Sequence, residues 1–314
     1  MEQNRYAVID LGTNTFHLLI AEVSPSKEVR FLHEEKFPAR IGKGGISKGF
    51  IQEEAWERAL QGLHHFRNQL DHFQVPDTHV IAMATSAIRN ASNGATLVQT
   101  IQEQTRIRVQ VISGDKEAEY IYYGVREAVP MDEQVSLIID IGGGSVECII
   151  CNGQQIFWKQ SFEIGAQRLM DRFMPSDPIP AYAVQKLNDY LLSTLVPLTN
   201  AVHQYAPRQV IGASGSFETW CEIHYKRIQP NFNLHDRSWH ELPITAFYNM
   251  YQEILQKNHS ERSQIPGMAE IRVDMIVMAS CLVAFVLKKY GIEQIKASTY
   301  ALKEGVLFHQ ILGK

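Results

Sequence analysis

The residues of this 314-residue chain that could do chemistry cluster in turns between short apolar runs. Asp10 precedes Gly12-Thr13-Asn14-Thr15, Asp140 precedes Gly142-Gly143-Gly144-Ser145, and Gly212-Ala213-Ser214-Gly215-Ser216 is a third turn of the same kind. In each, glycine lets the backbone approach a ligand and aim its N–H groups at it. Thr13, Thr15, Ser145, Ser214 and Ser216 add hydroxyl donors, and together these are what a phosphate needs. One such turn is the ordinary mark of a tight hairpin. Three in one chain, two with an Asp on the strand end, point to phosphate binding. Glu147 stands seven residues after Asp140 on the other arm of one hairpin, so the two carboxylates can face a common cation. Hard oxygens beside phosphate suit magnesium, the alternative being that Glu147 is a solvated strand residue. There is no G-x-x-x-x-G-K-[ST], and the triple glycine returns to a strand where a dinucleotide fold would enter a helix, which argues against both nucleotide motifs.

Elements must hold these turns in place. Tyr6 to Leu11 and Phe16 to Val23 read as the two arms of a hairpin, with Val29 to Phe37 as a third strand. Ala55, Ala59, Leu60, Leu63 and Phe66 recur at helical spacing between Gln52 and Leu70. A strand over Val80 to Ala84, a helix from Ala95 to Gln104, a strand over Val109 to Ile112 and a helix from Lys116 to Glu127 follow, an alternation that implies an α/β layer. The polar, Pro-bearing stretch from Ala128 to Gln134 is a candidate boundary, because the opening device then repeats: apolar strand Val135 to Asp140, glycine turn, apolar strand Val146 to Cys151. From Ala181 the chain is mostly helical, interrupted by a strand over Gln209 to Ile211 and a short one near Ile295. A last helix runs from Tyr300 to Leu312.

Composition narrows the classes. With 45% hydrophobic and 20% charged residues and no low-complexity tract, disorder, collagen and an all-coiled-coil chain are excluded. A net charge of −4 gives no global attraction for nucleic acid or an anionic membrane, so a polyanion needs a local basic site. The apolar run Met275 to Leu287 is too short to span a bilayer and reads as a buried helix. The first ten residues lack the pattern of a secretory signal. Cys148 and Cys151 form a C-x-x-C, but on a strand they point to opposite faces, so buried thiols are expected over zinc or redox work, in keeping with a reducing cytoplasm.

Five blocks carry a resemblance: Asp10-Leu-Gly-Thr-Asn-Thr-Phe-His17, Ala84-Thr-Ser-Ala-Ile-Arg-Asn-Ala91, Ile112-Ser-Gly-Asp-Lys-Glu-Ala118, Ile139-Asp-Ile-Gly-Gly-Gly-Ser-Val-Glu147 and Ser298-Thr-Tyr-Ala-Leu-Lys-Glu-Gly-Val-Leu307. In this order, across nearly the whole chain, they resemble the exopolyphosphatase and guanosine pentaphosphate phosphohydrolase family. The resemblance implies an α/β, two-lobed fold like that of actin, the Hsp70 chaperones and sugar kinases, with two ribonuclease H-like lobes and the ligand in the cleft between them. The lobes are expected at residues 1–127 and 128–314, with the last helix, 300–312, packing back on the N-terminal lobe. The HD-like domain of longer family members is expected to be absent, and His235-Asp236 reads as a loop.

Carried over position by position, the resemblance implies Glu117 as the catalytic carboxylate and Asp140 and Glu147 as ligands of Mg2+. It implies Gly12, Thr13, Asn14, Arg89, Gly142, Gly143, Gly144, Ser145 and, as a looser match, Arg272 as phosphate-binding residues. Val146 stands where Thr is usual, and Lys116 where a second acid often precedes the catalytic Glu. The second departure either sets a cation beside Glu117 or points to solvent. The implied activity is magnesium-dependent removal of the terminal phosphate of inorganic polyphosphate, with guanosine pentaphosphate as the alternative substrate. A kinase or ATPase of the same fold and a non-catalytic sensor are the remaining readings. The expected partners are thus polyphosphate or guanosine pentaphosphate, with a homodimer left open and neither nucleic acid nor membrane. Capture of a polyanion falls to Arg89, Arg272, Lys43 and Arg168, while the stretch from Arg40 to Lys48 either closes over the ligand or is an exposed loop.

Overall fold

The computed structural model describes residues 4–313. The first half runs β1 (Arg5–Leu11), β2 (Phe16–Val23), β3 (Val29–Phe37), α1 (Glu53–His72), β4 (Val80–Ala84), α2 (Ser86–Arg89), α3 (Gly94–Thr105), β5 (Val109–Val111) and α4 (Gly114–Ala128). The second half begins β6 (Ser136–Ile141), β7 (Val146–Cys151), β8 (Ile156–Phe162), α5 (Ala166–Phe173), α6 (Ala181–Thr194), α7 (Val196–Tyr205), β9 (Gln209–Ala213) and α8 (Gly215–Ile228). It closes with β10 (Trp239–Glu241), α9 (Ile244–Gln256), α10 (His259–Ser263), α11 (Met275–Tyr290), β11 (Gln294–Ser298) and α12 (Leu302–Val306).

Two sheets result, ordered β3-β2-β1-β4-β5 and β10-β11-β9-β6-β7-β8. Each is an antiparallel three-strand meander extended by parallel strands: β1 pairs in parallel with β4, and β6 with β9. Strands β8-β7-β6-β9-β11 thus repeat β3-β2-β1-β4-β5, with β10 as an added antiparallel edge. This is the two-lobed, actin-like architecture that the resemblance implies. Burial follows position in the sheet. All six residues of β6 and all six of β7 are buried, as continuous apolar runs in a doubly covered sheet should be. The edge strand β3 alternates half-buried and exposed positions and carries charge.

Three cores form. One lies on the outer face of the first sheet, under α1 and α3. A second lies on the outer face of the second sheet and includes α11, apolar around most of its circumference and ended by Gly291 at φ +66°. The third sits between the sheets, where Val8, Leu19 and Met83 of one face Ile138, Ile149 and Ile211 of the other through α4 and α12. Helix α4 packs on β7 and β8 of the second sheet, and α12 on β1 and β2 of the first. The two helices cross where Gly124 faces Gly305: a Cβ on Gly305 would stand 1.7 Å from the Tyr120 carbonyl oxygen, and one on Gly124 2.1 Å from that of Ala301. Glycine on both sides is what lets the backbones touch.

The C-terminal helical segment begins at Leu302 rather than Tyr300 and widens into a π-turn over Leu307–Ile311. The Ser298 hydroxyl delays the start by donating to the Tyr300 carbonyl at 2.7 Å and accepting from the Tyr300 amide at 3.1 Å. Sequence periodicity also passed over β8 and β10. In β8, six of seven residues are half-buried, so no alternation stands out, and β10 has only three residues. Cys148 and Cys151 fall in different cores on opposite faces of β7, and all four cysteines are buried free thiols. Among the described residues, no helix is long and apolar enough to cross a membrane.

Candidate active site

A cleft between the sheets is lined by the first two glycine turns and by Ser214 and Gly215 of the third. Register explains the convergence. Asp140 pairs with Glu147 across the β6–β7 hairpin, so both carboxylates leave the sheet on one side. The same positions of the β1–β2 hairpin hold Asp10 and His17. Glycine is required where the hairpins meet: a Cβ on Gly143 would come within 2.2 Å of Asn14 Nδ2, and one on Gly144 within 2.6 Å of Thr13 Oγ1.

The loop Gly142–Ser145 is tied from behind. The Gly165, Ala166 and Gln167 amides, at the start of α5, donate to the carbonyls of Gly144, Gly142 and Gly143 at 3.1, 2.9 and 3.0 Å. The Gly142 amide closes the turn on the Ser145 carbonyl at 3.0 Å. With its carbonyls taken, the loop offers the amides of Gly143, Gly144 and Ser145, none with a protein acceptor among the described residues. That is an anion-binding concavity.

Glu117 lies in the first turn of α4, whose N-cap Ser113 accepts from the Lys116 amide at 3.2 Å. Its Oε2 accepts from Arg89 Nη1 at 3.0 Å, and the same nitrogen donates to the Ile112 carbonyl at 3.1 Å. Burial pushes the Glu117 carboxyl up to about 8, against the pull of Arg89. Asp140 is raised to about 6, mainly by burial, although Ser214 donates to its Oδ2 at 2.7 Å. Ser214 adopts φ +68°, a conformation rare without glycine that sets its hydroxyl on Asp140. Glu147 is driven well above the usual range by burial and by the charges of Glu117 and Asp140, with Ser161 donating to its Oε1 at 2.6 Å.

Asp10 entered the sequence reading only as the residue that starts a turn, yet it lines the cleft. Burial and the charge of Asp140 raise it to about 7, and its Oδ1 is enclosed with no hydrogen-bond partner. A buried carboxylate oxygen without a partner, among four other acids that line the cleft, is where a cation would fit. Among the described residues no three His, Cys, Asp or Glu side chains form a metal cage by themselves. Magnesium needs none, since it takes one or two carboxylates and completes its shell with water and phosphate oxygens. Asp140 and Glu147, with Asp10 opposite, fit that donor set.

Gly12, Thr13, Asn14, Gly142, Gly143, Gly144, Ser145 and Arg272 line the same cleft as Glu117, Asp140 and Glu147, and Arg89 stands at its rim through Glu117. Asn14 Nδ2 donates to Met275 Sδ. Arg272 packs against Gly215, and burial lowers its pKa from the ordinary value. Lys43 and Arg40 instead line a neighbouring cavity that shares Asn14 with the cleft. Arg168 bonds two carbonyls, Gly144 at 2.9 Å and Ile46 at 3.0 Å. Lys116 turns away from Glu117 to pair with Glu119 at 3.0 Å and lie over the Tyr120 ring. Val146 is buried in the second core, and His235-Asp236 forms a short turn outside the cleft lining.

Sequence reasoning missed His17, Glu218, Thr299 and Lys303, which also line the cleft. Lys303 Nζ pairs with Glu304 at 2.6 Å and Glu34 at 3.1 Å, and Lys36 with Glu218 at 2.9 Å, so charge is balanced across the two halves. Burial and the nearby Lys303 hold His17 well below its usual pKa, in the neutral form. The signal for Asp10 and His17 was present, because the second copy of the hairpin has acids at the matching positions.

Comparisons with known proteins address the fold and the family. An exopolyphosphatase from Cytophaga hutchinsonii is 45% identical and superposes with a TM-score of 0.95 over 98% of each chain. The Ppx/GppA family member of Aquifex aeolicus, 23% identical over 98% of each chain, has the same fold at a TM-score of 0.79. A bifunctional 3-dehydroquinate synthase/phosphatase of Fusobacterium nucleatum is 27% identical over 294 residues, 91% of this chain, which spans 43% of that relative's length. The model of the Ppx/GppA phosphatase family matches residues 19–313, and the chain belongs to that family.

Proposed function

We propose that the chain removes terminal phosphate from inorganic polyphosphate by magnesium-dependent hydrolysis. The observation that supports this most is the meeting of free loop amides, three acids and an ion-paired Glu117 in one cleft of about 90 Å³. That volume suits a phosphoryl group with a water. Pockets for drug-sized ligands begin at about 300 Å³. Only the end of a polyphosphate enters such a space, which favours cleavage of the last anhydride over an internal one.

In this reading Glu117 accepts the proton of the attacking water at Oε1, the oxygen that Arg89 leaves unbonded. The amides of Gly143, Gly144 and Ser145 hold the phosphoryl oxygens from one side, and Thr13 and Asn14 hold them from the other. Asp140 and Glu147 hold magnesium, which when bound neutralises charge on the phosphoryl oxygens. Arg272 adds a fixed positive charge.

Guanosine pentaphosphate is the second reading, favoured by the cavity of about 510 Å³ beyond Asn14, which has room for a nucleoside. Phosphate release from polyphosphate, guanosine pentaphosphate and ATP, with and without magnesium, tests both. Fastest release from polyphosphate, lost on chelation, is expected. Preference for guanosine pentaphosphate selects the second reading. Turnover restricted to ATP overturns the polyphosphate reading in favour of an ATPase or kinase-like enzyme, and no turnover at all overturns the hydrolase reading in favour of a sensor.

A further inference from the structure

We infer that Arg89, Arg168 and Ser86 form a second oxyanion subsite at the mouth of the cleft, and that Glu163 occupies it as an internal stand-in for a phosphate. The inference rests on the phosphoanhydride reading and adds the position of the phosphate next to the one cleaved. Glu163 lies between β8 and α5, and its two oxygens meet three donors from both halves of the molecule. Arg89 Nη2 donates to Oε1 at 3.3 Å, while Ser86 Oγ and Arg168 Nη2 reach Oε2 at 2.7 and 3.1 Å. Two guanidinium groups and a hydroxyl around a pair of anionic oxygens are an equally good donor set for a phosphate.

The subsite adjoins the reaction centre. Arg89 reaches Glu117 with its other terminal nitrogen, Arg168 donates to the Gly144 carbonyl, and Ser86 touches Gly144 closely enough that a Cβ there would stand 2.6 Å from its hydroxyl. The Glu163 side chain is 45% exposed, against 17% for Arg89 and 20% for Arg168. The arginines are built into the wall, and the carboxylate sits at the opening, free to swing into water. Exposed ion pairs of this kind are weak and readily exchanged. A ligand with at least two linked phosphates displaces Glu163, whereas a single phosphate in the inner site does not. Glu163 thereby becomes a filter for anhydrides.

The test is calorimetric binding of the non-hydrolysable imido analogue of triphosphate to the full chain. Glu163→Gln keeps the shape, removes the competing charge and is expected to bind about 3- to 10-fold tighter, as loss of two weak pairs predicts. Asp171→Asn removes a charge from the neighbouring cavity without touching either arginine, since Asp171 bonds Ser47 and Gln167, and should change binding far less than Glu163→Gln. Unchanged or weaker binding in Glu163→Gln, or an equal gain in Asp171→Asn, overturns the inference. Phosphate release by the unaltered protein is scored separately. Absent release with the expected gain removes the hydrolase reading and keeps the subsite, and release without the gain does the reverse.

Discussion

At the scale of single residues, the Glu117 carboxylate takes its one side-chain hydrogen bond among the described residues from Arg89. Glu117→Gln keeps that hydrogen bond and cannot take a proton, so turnover on polyphosphate should fall about 10²- to 10⁴-fold while the binding constant moves only a few-fold. Single-turnover phosphate release beside equilibrium binding separates the two, and near-normal turnover removes Glu117 from its role. The acids also set a pH dependence of stability. Asp140, Asp10 and Glu117 have native pKa values of about 6, 7 and 8, all raised by burial. In the unfolded chain they titrate near 4. Between these limits the folded state binds more protons than the unfolded one, so the contribution is complete below pH 4 and is lost as pH rises through 6, 7 and 8. Without divalent cation, the melting temperature should drop by roughly 5 °C from pH 5.5 to 8.5, and magnesium should restore much of it. A melting temperature that rises across this range contradicts the burial of these groups as free acids.

At the scale of elements, the two Asp-bearing hairpins were legible in the sequence because each pairs an apolar run with a glycine turn and returns to a second run. Their strands, β1–β2 and β6–β7, match that reading almost to the residue. What stayed hidden depends on distance along the chain. Nothing local announces that Glu163 meets Ser86, or that Lys303 meets Glu34. Nor does composition separate Arg168, two of whose donors hold carbonyls, from Arg272, whose charge faces the cleft. The α4–α12 crossing was equally silent, since Gly124 and Gly305 look like ordinary helical glycines until the helices meet. Gly305→Ala drives a methyl into the Tyr120 carbonyl, where neither backbone can yield cheaply. A destabilisation of about 3 kcal/mol or more is expected, read from urea unfolding, with Ala301→Gly as a mild comparison. A loss below 1 kcal/mol means the helices separate easily.

At the scale of the whole molecule, the proposed polyphosphate substrate would have to be drawn to a chain of net charge −4 by local fields alone. The cleft supplies them with Arg89, Arg272 and its loop amides, while Lys43 and Arg40 sit one cavity away. The Michaelis constant for polyphosphate should therefore climb with ionic strength, several-fold between about 50 and 300 mM salt, with kcat nearly constant. A salt-insensitive constant places capture outside these charges. The central core carries a further consequence, for synthesis. Strands β1 and β2 and helix α4 are covered on one side by α12, which the ribosome adds roughly 170 residues after α4 is complete. At about 5–20 residues per second, the nascent N-terminal half waits some ten to thirty seconds with that face bare. A product stopped in the interval leaves that apolar face open to solvent, an adhesive surface that the complete chain buries.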